Sequence, residues 1–311
     1  MADLKESTAS PDVHDIDFDA EAEGLTIEAR SFRRQIWDRF RRHKLALVAA
    51  ALLIVIVLMF IFGPAFSDYE YDEPNIADRS QGPSLDHPFG TDPLGRDMFV
   101  RVLRGGRISA RIALVVAVVS TTLGTVLGAT AGYFGKAVDL LISQLINLFL
   151  IMPALIILFV FAIRWGNDIN QVSILLGCLL WVPIARIVRG QVLQLKEQEF
   201  VQAARAAGAT SGRIIGRHLL PNVVGPIVVQ STLIIGTAII LESTLAFLGL
   251  GVTPPDTSLG VLINDGKGFL RDRPSAALIP GGFIVLIVLC INFLGDGLRD
   301  AFDPTSRKVR E

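Results

Sequence analysis

Six stretches of this chain are long and apolar enough to cross the roughly 30 Å of hydrocarbon in a bilayer, and that removes most folds from consideration. They fall at 45–66, 110–134, 138–163, 172–193, 223–248 and 276–302. Several exceed the minimum of about 20 residues, so some are tilted or protrude. Hydrocarbon offers no partner for backbone N–H and C=O groups, so a chain crosses it as helices or as a closed barrel. No strand pattern occurs at the spacing a barrel needs. The spans therefore predict an all-α integral membrane protein, a six-helix transmembrane bundle. Of its 311 residues 51% are hydrophobic, gathered in blocks as such a bundle requires.

The polar stretches divide the rest. Residues 1–29 carry about nine acids against a single lysine, with no apolar core or small-residue cleavage site. They predict a disordered cytoplasmic tail rather than a signal peptide, so the first span stays as an anchor. Residues 30–44 hold seven basic side chains, with Phe32, Ile36, Trp37 and Phe40 near helical spacing. They read as a basic elbow helix lying on anionic lipid, or as a simple charged stop before the anchor at 45–66. An extracytoplasmic segment follows at 67–109, then a core of five spans at 110–302, and a short cytoplasmic tail at 303–311.

With the N-terminus inside, about 19 of the 29 basic residues fall on the inner side, as the positive-inside bias favours. Both termini are then cytoplasmic. One group resists: Arg96, Arg101, Arg104, Arg107 and Arg111 precede the second span on the outer side.

Catalytic chemistry is hard to find. Gly260 to Gly268 is superficially like a phosphate loop. Its first glycine is misplaced, however, and Gly268 stands where a magnesium-binding Ser or Thr is needed. The four histidines, His14, His43, His87 and His218, are scattered without metal-ligand spacing. Cys178 and Cys290 lie in apolar blocks and read as buried small hydrophobes. Neither a catalytic residue nor a metal site is expected.

Charge inside a bilayer is costly and often functional. Glu242 lies in the fifth span and reads as a path-lining group or as a structural hydrogen-bonding one. Pro153 and Pro183 fall inside spans and should kink them, freeing carbonyls that could face a cavity. Asp139, Arg186 and Arg189 sit near inner ends and can snorkel to the interface.

The stretch 199–221 is too polar to cross and too patterned for a linker. A first helix over 199–207 is covered in small residues, so another backbone can approach it. Gly208 breaks it, Thr210 or Ser211 can cap a second helix, and Pro221 stops that helix before the next span. A helix, break and helix at the membrane surface suits docking to a soluble partner, although an ordinary amphipathic loop has a similar look.

At these residues the chain resembles the integral membrane permeases of binding-protein-dependent ABC importers. Their loop has Glu-Ala-Ala, three residues, Gly, nine residues and Ile-x-Leu-Pro. Here it reads Gln202-Ala203-Ala204, Gly208 and His218-Leu219-Leu220-Pro221, with Gln202 in place of Glu and His218 in place of Ile. Glu199, one turn away, could replace the missing acid. Three further stretches, beginning at His87, Leu241 and Asn292, narrow the likeness to the C-type permease subunit of dipeptide, oligopeptide and nickel importers.

The resemblance implies a type I importer fold with a cytoplasmic coupling helix, in a bacterial or archaeal plasma membrane. It implies a second homologous permease, one or two cytoplasmic ATPase subunits holding ATP and magnesium, and an extracytoplasmic solute-binding protein. This chain itself would bind no cofactor and hydrolyse nothing. The ATPase contact would involve Glu199, Gln202, Ala203, Ala204, Arg205, Gly208, Arg213, Arg217 and Pro221. The solute would be a di- or oligopeptide; a glutathione-like peptide, a nickel chelate, or peptide sensing without net transport are the alternatives.

Overall fold

The computed structural model describes residues 32–166 and 168–303. The expected tails at 1–29 and 303–311, apart from Asp303, and the first two residues of the elbow lie outside the described residues. Helix α1 (Phe32–Phe40) leads into α2 (Lys44–Phe62), which a tight turn at Gly63–Phe66 closes. His43 caps α2 by accepting the Ala46 N–H at 3.1 Å. An irregular segment then runs to α3 (Met98–Phe134), followed by α4 (Lys136–Ile151), α5 (Ala154–Trp165), α6 (Ile169–Leu179) and α7 (Val182–Leu195). Beyond a short α8 (Glu199–Ala206) come α9 (Ser211–Arg213), a wide π-helical stretch Ile214–Leu219 and α10 (Leu220–Leu245). A short α11 (Leu259–Gly266) and a long α12 (Ser275–Phe302) are the last described helices. Among the described residues, five helical stretches are long and apolar enough to span a membrane, six if the bent pair α4–α5 counts as one.

Helix α3 is the axis of the bundle, in contact with α2, α6, α7 and α10. It begins at Met98, twelve residues before the apolar span that the sequence marks at 110. Asp97 starts it by accepting the Val100 N–H at 2.9 Å. At 37 residues it is about 55 Å long, more than a bilayer core, so its arginine-bearing first turns project.

In lipid, apolar surface gains little by meeting apolar surface, so helices associate through close packing of small residues. Gly124, Gly128 and Gly132 provide it on α3. A Cβ at Gly128 would stand 2.5 Å from the Ala185 carbonyl oxygen of α7, and one at Gly124 would stand 2.6 Å from that of Trp181. Helix α12 packs on α10 and α2, and Phe40, Ala46 and Ala301 join α1, α2 and α12 in a small buried cluster. Elsewhere the outward surface is apolar, with Leu140, Leu141 and Ile151 of α4 all exposed, as a lipid-facing or partner-facing helix requires.

Two prolines behave differently from one another. The third span is broken by 84° between α4 and α5, at Met152 and Pro153. Pro183 instead lies in the first turn of α7, where its missing N–H is not needed. The irregularity there falls at Leu180 and Trp181, and 169–195 still reads as one span. The expected kink at Pro183 is thus moved to the residues before it.

Candidate functional site

Two polar regions sit at opposite ends of the bundle. At one end α7 leads to α8, an eight-residue helix whose surroundings are open on almost every side. Val201 alone among its side chains is fully buried, joining Ile214 and Leu219 in the core. It pins the helix by one face and leaves Glu199, Gln202, Ala203 and Arg205 exposed. Glu199 lies in the first turn, where a negative charge suits the helix dipole. Among the described residues it makes no ion pair within this chain, so its carboxylate is left exposed. Gln202 turns back instead, its Nε2 donating to the Glu197 carbonyl at 3.1 Å. The Arg205 guanidinium lies over the Tyr133 ring of α3 at 5.9 Å.

The end of α8 is built on Gly208, whose φ is +81°. The Ala209 N–H donates to the Ala204 carbonyl and the Gly208 N–H to that of Arg205, both at 3.0 Å. This is the Schellman closure, and it needs a left-handed residue that only glycine supplies without strain. Thr210 occupies the following N-cap position, but no side-chain capping bond forms there. Arg213 and Arg217, one turn apart, remain exposed beyond it.

Pro221 does not stop the second helix. It lies within a continuous helical run, Ser211–Leu250, that becomes the fifth span. A proline there removes one N–H and pushes its ring at the preceding turn. The wide turn at Ile214–Leu219 makes room, and Asn222 Nδ2 donates to the His218 carbonyl at 2.6 Å.

Near this end Asp139 of α4 and Arg189 of α7 form a two-pronged ion pair, Nη2 to Oδ2 at 2.8 Å and Nε to Oδ1. Both were legible as charges near span ends. Their pairing across 50 positions was not. Arg186 stays exposed.

At the other end, His87 to Asp97 folds into a compact loop. Asp92 Oδ1 accepts the Leu94 and Arg96 N–H groups at 2.8 and 2.9 Å. Its Oδ2 receives Arg96 Nε and Arg101 Nη1, both at 2.7 Å. His87 Nδ1 meets Asp97 Oδ2 at 2.8 Å. Two arginines of α3 then reach toward α11: Arg101 to Asp265 at 3.3 Å and Arg104 to Asp256 at 3.0 Å. These carboxylates were not singled out from sequence. The run of arginines at three- and four-residue spacing carried the signal, since such spacing places them on one helix face.

Glu242 is 1% exposed, enclosed by α3, α10 and α11. Ser109 Oγ donates to its Oε2 at 3.2 Å and accepts the Leu259 N–H of α11 at 3.2 Å, while Oε1 has no partner. Pro153 and Pro183 belong to separate junctions, so the three do not form one site. The bend at Pro153 helps enclose an apolar cavity of about 560 Å³ between α5, α6 and the end of α10. Cys178 lines it and is exposed, contrary to the expectation of burial. Cys290 is buried. Gly260 to Gly266 is helical rather than a phosphate-binding loop. Among the described residues no three His, Cys, Asp or Glu side chains cluster as a metal site.

Comparison with known proteins bears on both ends. Residues 124–308 match the family model of the binding-protein-dependent transport system inner membrane component. Residues 31–83 match the N-terminal membrane domain of oligopeptide transport permease C. The chain is 39% identical to the oligopeptide transport system permease protein OppC of Bacillus subtilis, covering 93% of this chain and 94% of that one. The identity is also 39% with OppC of Escherichia coli, over 92% and 95%. With the dipeptide transport system permease protein DppC of Alkalihalophilus pseudofirmus it is again 39%, over 87% and 89%. Among solved structures, an inward-facing MetNI methionine ABC transporter chain superposes with a TM-score of 0.52. It is 21% identical and covers 65% of this chain and 96% of that one, a likeness of fold.

Proposed function

The chain belongs to the inner membrane components of binding-protein-dependent transport systems, and from that premise we propose that it is the permease through which di- or oligopeptides are imported. It is a multi-pass inner membrane protein and an ABC importer permease, a transporter subunit rather than an enzyme. Its partners are a second, homologous permease that completes the path, one or two ATPase subunits and a solute-binding protein. ATP and magnesium are held by the ATPases. The N- and C-termini are cytoplasmic, which puts α8 on the ATPase side and the His87–Asp97 loop on the side of the binding protein.

The observation that carries this reading is α8 itself. A short helix exposed on nearly all sides, held by Val201 and closed by a glycine in the left-handed region, has the form of a knob for a groove. Glu199, Gln202, Ala203, Ala204, Arg205 and Gly208, followed by Arg213 and Arg217, make up its contact surface. Pro221, in the helix beyond, transmits the movement. ATP draws the two ATPases together and with them the two coupling helices. The bundles tilt to open outward, where docking of the loaded binding protein favours the same state. Hydrolysis lets the bundle return and release solute inward.

Gly208→Leu tests this. The variant should insert normally yet lose ATP-driven uptake of a labelled peptide, or fail to retain the ATPases on purification. Normal uptake at normal complex levels would overturn the coupling role. Wild-type vesicles that bind peptide but do not accumulate it with ATP present would favour sensing over transport.

A further inference from the structure

Between the His87–Asp97 loop and α11 lies a cavity of about 250 Å³, lined by three arginines and two aspartates with apolar walls. Its charges are unevenly satisfied. Asp92 is saturated by two backbone N–H groups and the side chains of Arg96 and Arg101. Arg101, 5% exposed, is held to Asp92 at 2.7 Å but to Asp265 only at 3.3 Å, and the Asp265 side chain is 47% exposed. Arg273, at the entry to α12, makes no side-chain hydrogen bond or ion pair among the described residues, although its backbone N–H is fixed on the Phe269 carbonyl at 2.7 Å. The cavity therefore has one cation in excess, beside a second whose weaker partner can be displaced. Leu94, Met98, Leu262 and Phe269 supply the apolar walls. Its volume lies below the range of roughly 300–1,000 Å³ that takes drug-sized ligands, which suits a small terminal group.

We propose that this cavity binds a single carboxylate carried on an apolar stem, gripped by Arg273 and by the Arg101 edge that now faces Asp265. A guanidinium fork matches a carboxylate in two-pronged geometry, and the buried floor strengthens the pairing. The carboxylate can be the free end of a short peptide or an acidic side chain.

The test uses the assembled transporter in lipid nanodiscs, with Cys178→Ser and Cys290→Ser, and Leu94→Cys at the cavity wall as the reporter. The rate of maleimide labelling is measured with trialanine, trialanine amide, N-acetylglutamate methylamide, its glutamine counterpart, and inorganic phosphate. Slowing by trialanine and not by its amide identifies a chain terminus. Slowing by the glutamate probe and not by the glutamine one identifies a side chain. Arg273→Gln should need roughly tenfold more probe for the same protection, about 1.4 kcal/mol, and Arg273→Lys should restore part of it. Equal protection by charged and neutral probes, no protection, or protection by phosphate alone overturns the proposal. Peptide uptake by the unmodified transporter is scored separately, so failure of the pocket leaves the import reading untouched.

Discussion

At the scale of single residues, Glu242 is a carboxylate buried within a span, tied to a neighbouring helix through Ser109. The sequence left it as a path-lining group or a structural hydrogen-bonding one. The structure encloses it and uses it as a tie, since through Ser109 it holds the first N–H of α11 against α3. Removing the acceptor leaves the Ser109 hydroxyl unsatisfied in a buried place, which costs about 1–3 kcal/mol. Glu242→Ala should therefore lower the thermal midpoint of the purified complex and speed proteolysis of the loop before α11. Glu242→Gln keeps an acceptor oxygen and should stay near wild type in both. If Glu242→Gln instead changed which peptides are carried while leaving the midpoint alone, the residue would line the path. Sequence alone could not reveal this tie, because Ser109 and Leu259 are more than a hundred positions apart.

At the scale of elements, the packing of α3 on α7 rests on three glycines rather than on bulk. Gly128→Leu would force a side chain into the Ala185 backbone, which a rigid helix cannot yield to. Assembled complex should fall to a small fraction of wild type in detergent extracts. Gly282→Ala, where nothing lies within 4 Å, should be neutral or slightly stabilising. Near-normal assembly of Gly128→Leu would refute the close approach. Spacing of this kind is readable in an apolar span, and the apolar stretches and the break at Gly208 were legible for the same reason: each rests on local chemistry. What was not legible rests on neighbours distant in sequence. Helix α3 starts at 98 because the carboxylates of Asp92, Asp256 and Asp265 receive its arginines, which hydropathy alone counts against a helix in membrane. Pro221 fails as a stop because the wide turn before it absorbs the ring, and no local rule announces that turn.

For the whole molecule, the direction of insertion is part of the proposal, and it rests on charge beside the spans. The positive-inside bias counts basic groups near span ends, and the arginines at the start of α3 were its exception. Among the described residues Arg96, Arg101 and Arg104 each meet a carboxylate, whereas Arg107 and Arg111 do not. Arg34, Arg41 and Arg42 beside the first span, by contrast, are exposed. The proposed inner N-terminus rests on the basic residues that flank the first span. Two glycines in open space allow a direct check, since a Cβ at Gly82 or Gly212 would meet nothing within 4 Å. With Cys178 and Cys290 replaced, Gly82→Cys should react with a membrane-impermeant maleimide on intact spheroplasts, and Gly212→Cys only after permeabilisation. The reverse pattern would place α8 outside, where no ATPase can reach it, and would sink the coupling role together with the orientation. Labelling of both on intact cells would place both glycines on the outer face, as a re-entrant α4–α5 allows, and would equally sink the coupling role.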